Sequence, residues 1–209
     1  RSERISLMED GILAAPAPYA APAAYYFPNV ARMYAIEVLK GSSQVQYGPF
    51  TTGGAVNMVS TPIPKRFQAG LRTSYGSFGT FNSYAHLGND HKHIGYLVEY
   101  LRYQSKGFKK DEPNERTGFY RNDVVGKIRL HSDEEAETRQ ALELKLGFSD
   151  EVSDESYVGL SEGDFASRPY HRYRGAQMDQ LSTRHTQTAL THFIDFSSRL
   201  KVTTSAYYN

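Results

Sequence analysis

Seven histidines are the first residues to test for chemistry, and their spacing builds no metal centre. His86, His91 and His93 crowd one short stretch, yet they span a strand end and a turn without the i, i+4 spacing of a helical ligand pair. His171 and His185 stand apart from them. Asp133, Glu134, Glu135 and Glu137 form an acidic run, but paired catalytic acids need convergent placement in a shaped pocket, and the run reads as a solvated turn. Ser42 and Ser43 follow Gly41 without the Gly-x-Ser-x-Gly spacing of a nucleophile elbow. Gly76-Ser77-Phe78-Gly79 reads as a turn between strands rather than a phosphate loop. Cysteine is absent, which removes disulfides, thiolate nucleophiles and Cys-based zinc sites together. No catalytic residue, metal ligand or cofactor site is expected, and the chain is read as a non-enzyme.

Basic loop residues carry the remaining chemistry. Lys106, Lys109, Lys110 and Arg116 fall in one segment, where Asp111, Glu112 and Glu115 dilute them. Arg168, Arg172 and Arg174 fall in another, interleaved with Tyr170 and Tyr173. A guanidinium binds carboxylates through a planar fork, so this second group suits a carboxylate-rich anion. The alternative is ordinary solvation of a charged loop. The 24 Lys+Arg are matched by 23 Asp+Glu, which excludes the broad basic surface that nucleic acid needs.

The elements that must position these loops are strands. The chain has 16 Tyr, 11 Phe and 17 Gly, a mix that favours strands and turns. No run of 18 apolar residues exists for a membrane helix, and the uncharged run Gly11 to Ala31 is broken by Pro16, Pro18, Pro22 and Pro28. Composition changes near Thr61-Pro62-Ile63-Pro64: residues 1–64 hold four basic and four acidic residues, residues 65–209 hold 20 and 19. Two domains, 1–64 and 65–209, are therefore expected. The second alternates with period two. Phe67, Ala69, Leu71, Thr73 and Tyr75 share a face, as do Phe81, Ser83, Ala85 and Leu87, and Tyr96, Val98 and Tyr100. Val124, Gly126, Ile128 and Leu130 oppose Asp123, Lys127, Arg129 and His131; Leu142, Leu144, Leu146 and Phe148 oppose Glu143, Lys145 and Ser149. Thr186–Phe196 is less regular, with His192 on the face of Leu190 and Ile194; Leu200, Val202, Thr204 and Ala206 close the series. The spacing predicts seven antiparallel strands of about ten residues, long enough to cross a bilayer when tilted. Gly88–Lys92, Ser132–Glu137 and Ser197–Arg199 are short connections, whereas Lys106–Gly118 and Asp154–Ser182 are long. Short turns at one end and long loops at the other suit an outer-membrane barrel; a soluble antiparallel sandwich is the alternative, with strands usually nearer five or six residues.

Three stretches of the first region carry a resemblance. Residues 7–13, Leu-Met-Glu-Asp-Gly-Ile-Leu, resemble the "DG" segment of the plug domain of TonB-dependent outer-membrane receptors. Residues 36–41, Ile-Glu-Val-Leu-Lys-Gly, are similar to that plug's "IEVLRG" motif, and residues 45–60 to its "YG…GGxVNxVT" motif. The order and spacing are the family's, and an alternating region follows directly. The plug residues so identified are Asp10, Gly11, Glu37, Lys40, Gly41, Tyr47, Gly48, Gly53, Gly54 and Asn57. Lys40 stands where the family usually has an Arg that helps to latch plug to barrel. Ala17-Pro18-Tyr19 and the run Tyr157-x-Gly-Leu-Ser, Asp164, Pro169-x-x-Arg172-Tyr173 resemble the ferric-citrate receptor branch.

The resemblance implies an all-β transmembrane barrel, here about seven of an expected 22 strands, behind part of an α+β plug. It implies TonB-dependent import of a ferric chelate, ferric dicitrate or a similar siderophore, across the outer membrane of a Gram-negative bacterium. The partners implied are the chelate, TonB through a segment preceding Arg1, and outer-membrane lipid. Candidate ligand contacts are Tyr19, Tyr25, Tyr47 and Phe50 of the plug loops, with Arg168, Tyr170, Arg172 and Arg174 of the longest loop. A passive porin or adhesin barrel is the alternative. The start at Arg1 and the end within an alternating stretch read as a segment of a longer chain.

Overall fold

A computed structural model describes residues 4–14, 26–48, 51–109 and 117–209, which form two sheets. The smaller comprises β1 (Ile5–Glu9), β2 (Ile12–Leu13), β3 (Met33–Leu39) and β4 (Gly54–Ser60), in the order β2-β1-β4-β3. β1 runs parallel to β4 and the other pairs are antiparallel. Asp10 and Gly11 turn the chain from β1 to β2 with φ of 54° and 78°. Positive φ at both central residues is what a tight hairpin with the native twist demands, and Asp-Gly meets it. Leu7, Ala14, Tyr26 and Met58 form a small apolar core, with Met33 and Val56 packed against it.

The larger sheet is a regular meander of seven antiparallel strands: β5 (Gln68–Gly76), β6 (Thr80–His91), β7 (Ile94–Ser105), β8 (Phe119–His131), β9 (Arg139–Ser153), β10 (Leu181–Asp195) and β11 (Lys201–Tyr208). All seven expected strands are present, longer than ten residues in the middle of the sheet. The chain therefore crosses from β6 to β7 through Lys92 and His93 alone, a tighter turn than the Gly88–Lys92 connection expected from sequence. Asn89 and Asp90 are polar, which suggested a loop, yet both pair in register with Tyr96 and Gly95. The long loop after β9 holds an unexpected helix, α1 (Glu162–Ser167), capped by Ser161, whose hydroxyl accepts from the Asp164 amide.

Period-two alternation divides the large sheet into two faces. Ile128, Leu130, Leu142, Leu146, Phe148 and Leu190 stand exposed on the outer face, together with Leu71, Leu87 and Val98. Their alternates Leu97, Glu99, Leu101, Asp123, Val125, Lys127, Lys145, Ser149 and Gln187 are buried. What buries this inner face is the small sheet and the segment that follows it. Residues 61–64 lie close along the wall at Gly88 and Gly95: a Cβ there would come within 2.8 Å of Pro64 Cδ and 3.0 Å of Ile63 Cγ2. Among the described residues no helix is long and apolar enough to cross a membrane, which leaves crossing by strands open.

Candidate functional site

Asn57 ties the three motif stretches together. Its Oδ1 accepts from the Gly11 amide at 2.8 Å, and its Nδ2 donates to Glu37 Oε2 at 2.9 Å. Asp10 is held beside them, accepting from the Ser60 amide at 2.8 Å and the Ser60 hydroxyl at 2.5 Å. The motif spacing thus has a structural cause, since the three segments are neighbouring strands sharing one set of hydrogen bonds.

The edge of the small sheet formed by Glu9, Asp10 and Ser60 meets the wall in a buried ionic contact. Lys127 and Lys145 are register partners on β8 and β9, both pointing inward, an arrangement that like-charge repulsion opposes unless anions come between. Lys145 Nζ donates to Glu9 Oε1 and to Asp10 Oδ2, each at 2.6 Å. Lys127 Nζ donates to Ser60 Oγ at 2.6 Å and to the Thr61 carbonyl at 2.7 Å. Arg32 closes the arrangement with a fork on Glu9, Nη1 to Oε1 at 2.6 Å and Nη2 to Oε2 at 2.9 Å. Its Nε lies 3.5 Å from Asp123 Oδ2 on β8, and its Nη2 also donates to the Tyr26 hydroxyl. Asp123 in turn accepts from Arg121 and Ser149. The Tyr26 ring stacks on His185 of β10 with centroids 3.7 Å apart, and Arg121 lies over the same ring.

Burial dominates the electrostatics of this contact. Alone it would raise the Glu9 carboxyl, but Arg32 and Lys145 outweigh it and hold Glu9 below its ordinary value. Burial likewise opposes ionisation of Asp10, and Lys145, Lys127 and the Ser60 hydroxyl bring it down to about 2. Burial raises the Tyr26 phenol to about 12 despite the Arg32 charge beside it. Glu9 and Asp10 therefore meet these cations as carboxylates, which is how charge survives inside a protein.

Lys40 is exposed and enters no ion pair among the described residues, because β3 carries it to the end of the sheet away from Glu9. Arg32 joins the two sheets instead, from a 3-10 turn whose first amides are capped by Asn29. Sequence reasoning missed Arg32, gave Glu9 no role within its motif, and placed Asp123, Lys127 and Lys145 only on a polar face. The available signal was two lysines on the polar faces of consecutive strands.

The candidate ligand residues separate into groups. Tyr19, Tyr25 and Phe50 lie outside the described residues, as do Lys110 and Arg116. Tyr47 ends a 3-10 turn between β3 and β4, again at the end of the small sheet remote from Glu9. Arg172 is turned into its own loop: it is 4% exposed and donates to the carbonyls of Asp154 at 2.7 Å, Asp179 at 2.9 Å and Ala176. That geometry corrects its expected place as an open anion contact. Arg168, Tyr170 and Arg174 remain exposed in the loop that Arg172 organises. Asp164 accepts from the Tyr173 hydroxyl at 2.6 Å and from Arg168 at 3.3 Å, bonds that lower its carboxyl value. Tyr170 meets Phe108 edge-on, so the two long loops touch. Of the histidines, His131 Nε2 sits 2.8 Å from Asp90 and His93 3.7 Å from Asp133, and no group of three or more metal-ligating side chains converges among the described residues.

No family model matches the sequence. Solved structures do match it across nearly its whole length. The ferric citrate transporter FecA in its unliganded form aligns with 99% of this chain at a TM-score of 0.79 and 22% identity. The siderophore receptor PiuA from Acinetobacter baumannii aligns with 99% at 0.70 and 16% identity, and the copper transporter OprC with 98% at 0.64 and 17% identity. The chain spans 31%, 28% and 29% of those proteins, about a third of their length. A seven-stranded wall, apolar outside, with a small mixed sheet bonded to its inner face through Glu9, Asp10 and Arg32, has the fold of the TonB-dependent outer-membrane receptors.

Proposed function

We propose that this chain is part of a TonB-dependent transporter that imports a ferric chelate, ferric citrate or a similar siderophore, across the bacterial outer membrane. Residues 1–64 then supply part of the plug and residues 65–209 the first strands of the barrel. The observation that carries this reading is the ionic contact of the small sheet with the wall's inner face. An open pore has no use for a folded unit bonded there, whereas a gated transporter needs one that is held firmly and can be displaced. Ferric citrate is favoured by the loop residues Tyr157 to Tyr173 and by likeness to a transporter so described. Arg168 and Arg174 stand exposed with Tyr170 and suit a carboxylate-rich anion, while Arg172 holds the loop's shape.

The protein does no covalent chemistry in this scheme. The loops and the plug bind the chelate, TonB engages a segment outside residues 1–209, and the Lys145–Glu9, Lys145–Asp10 and Arg32–Asp123 contacts exchange partners as the plug moves. Uptake of radiolabelled iron as ferric citrate, in cells lacking their own receptor and given the full-length gene, is the test. Import that disappears without TonB is the expected result. TonB-independent passage of small solutes instead would establish the passive pore.

A further inference from the structure

On the outer face of β7 the alternating residues Ile94, Tyr96, Val98 and Tyr100 give way to Arg102 and Gln104. On β8 the partners Leu130, Ile128, Gly126 and Val124 give way in the same rows to Asn122 and Tyr120. From Ile94 to Arg102 is roughly 27 Å along a strand, or about 20 Å across a bilayer at a barrel's usual tilt. That is close to the ~25 Å apolar band of such barrels, so Arg102 stands at its upper edge, on the side of the long loops. Tyr75, Phe81, Tyr100 and Tyr120 alternate onto the same face near the same ends of β5 to β8, as an interfacial aromatic girdle does.

The Arg102 guanidinium is held by neutral groups. Its Nε and Nη2 donate to Gln104 Oε1 at 3.0 and 2.7 Å, its Nη1 donates to Asn122 Oδ1 at 2.9 Å, and its Cζ lies 4.8 Å from the Tyr120 ring centre. Asn122 Oδ1 also accepts from the Tyr100 hydroxyl at 3.1 Å. Both amide oxygens are thereby occupied. Among the described residues no carboxylate pairs with Arg102, and Asp150, two strands away in the same row, pairs with Arg184 instead. Five N–H groups with three in use leave two, and the amide nitrogens of Gln104 and Asn122 add donors without adding acceptors. The result is a fixed positive charge ringed by donors, at the depth where lipid headgroups lie.

We propose that Arg102, with Gln104 and Asn122, binds the phosphate of an outer-leaflet lipid headgroup. The inference rests on the membrane-barrel reading above. A phosphate oxygen takes the two unused guanidinium N–H groups as a fork, and Tyr100 and Tyr120 flank the upper acyl chain. The position serves a lipid rather than the transported solute because it faces away from the small sheet and the channel side of the wall.

The full-length receptor in detergent tests this by native mass spectrometry, with diphosphorylated lipid A, its dephosphorylated form and inorganic phosphate as separate probes. The wild type should retain the phosphorylated lipid, and Arg102→Gln should reduce its occupancy about tenfold or more. Arg102→Lys, which keeps the charge and loses the fork, should fall between them. Gln104→Leu leaves the charge in place and should lower occupancy by a smaller factor, which serves if Arg102→Gln does not insert. Equal retention by wild type and variants, indifference to the lipid's phosphates, or equal occupancy by inorganic phosphate would each overturn the proposal. A receptor that inserts and imports yet retains no phosphorylated lipid defeats this inference alone. One that never enters a bilayer defeats the reading beneath it.

Discussion

The two faces of the seven-stranded wall obey different rules. Outside, Leu142, Leu144, Leu146 and Phe148 satisfy a solvent, and any apolar side chain of similar size meets the same demand. Inside, Lys127 and Lys145 satisfy particular partners, Glu9, Asp10, Ser60 and Thr61, each at a fixed distance. Specificity in this molecule is therefore concentrated on one side of a sheet whose backbone is regular throughout. A substitution on the outer face is expected to act through transfer energy alone, whereas one on the inner face leaves a named partner stranded.

The largest effect should follow from Lys145→Met. Glu9 would lose a cation while remaining buried, and the partly exposed Asp10 would lose the same partner; stranding a buried charge typically costs about 3–5 kcal/mol. Hydrogen exchange on the full-length receptor should show β1 and β4 opening while β7 to β9 keep their protection. Adding Glu9→Gln to Lys145→Met should recover part of the loss, because the stranded charge is then gone. If the double variant is no better than the single, the contact is packing rather than ion pairing. Leu144→Arg is the outer-face counterpart and should cost roughly 2–4 kcal/mol if Leu144 lies near the bilayer midplane. Its signature is reversed, with insertion impaired and the ionic contact untouched. Spin labels placed in turn at positions 142 to 149 should alternate between lipid-borne and aqueous quenchers; uniform quenching removes the distinction between the faces.

Acid should separate the faces as well. Asp10 titrates at about 2 in the folded chain against an ordinary 3.8, so its folded value is depressed. A depressed carboxyl contributes stability that is fully present above the unfolded value and is lost as pH falls through the folded one. The small sheet should therefore hold to about pH 4 and loosen between pH 4 and 2, with Glu9 acting in the same direction. Asp10→Asn should remove Asp10's share of this dependence. The outer face carries no carboxylate in its apolar rows and should not respond.

Legibility in the sequence divides along the same line. Period two alone assigned the outer residues of all seven strands, including His192 beside Leu190 and Ile194, because a single buried-or-lipid face is enough to impose that rhythm. It could not give the register that sets Lys127 beside Lys145, since alternation names a face and not a neighbour across it. Arg32 was illegible for another reason. It lies between a proline-bearing segment and β3, where no periodicity exists, and its depth is decided by Glu9, 23 positions earlier in the chain. The motif that contains Lys40 gave no hint of it, since Lys40 and Arg32 flank opposite ends of β3. In the long loop, a cluster of arginines looked equivalent by composition, and only backbone carbonyls distinguish Arg172 from its neighbours.

That last distinction gives the smallest and sharpest comparison, between two arginines of one loop. Arg172 is buried and bonded to the carbonyls of Asp154, Ala176 and Asp179, whereas Arg168 is exposed and its guanidinium pairs, among the described residues, with Asp164 at 3.3 Å. Arg172→Ala strips three carbonyls of a charged donor, so residues 154–180 should lose their hydrogen-exchange protection and α1 should fray. The sheets should unfold at an unchanged denaturant concentration, because the loop lies outside them. Arg168→Ala removes one exposed pair and should leave stability nearly unchanged. If Arg168 contacts the chelate, calorimetry on the full-length receptor should show weaker ferric citrate binding in Arg168→Ala with the loop intact, and Arg168→Lys should restore it only in part. Unchanged affinity in Arg168→Ala and in Arg174→Ala, with loss in Arg172→Ala alone, would make the loop's shape rather than its exposed charge the determinant of binding.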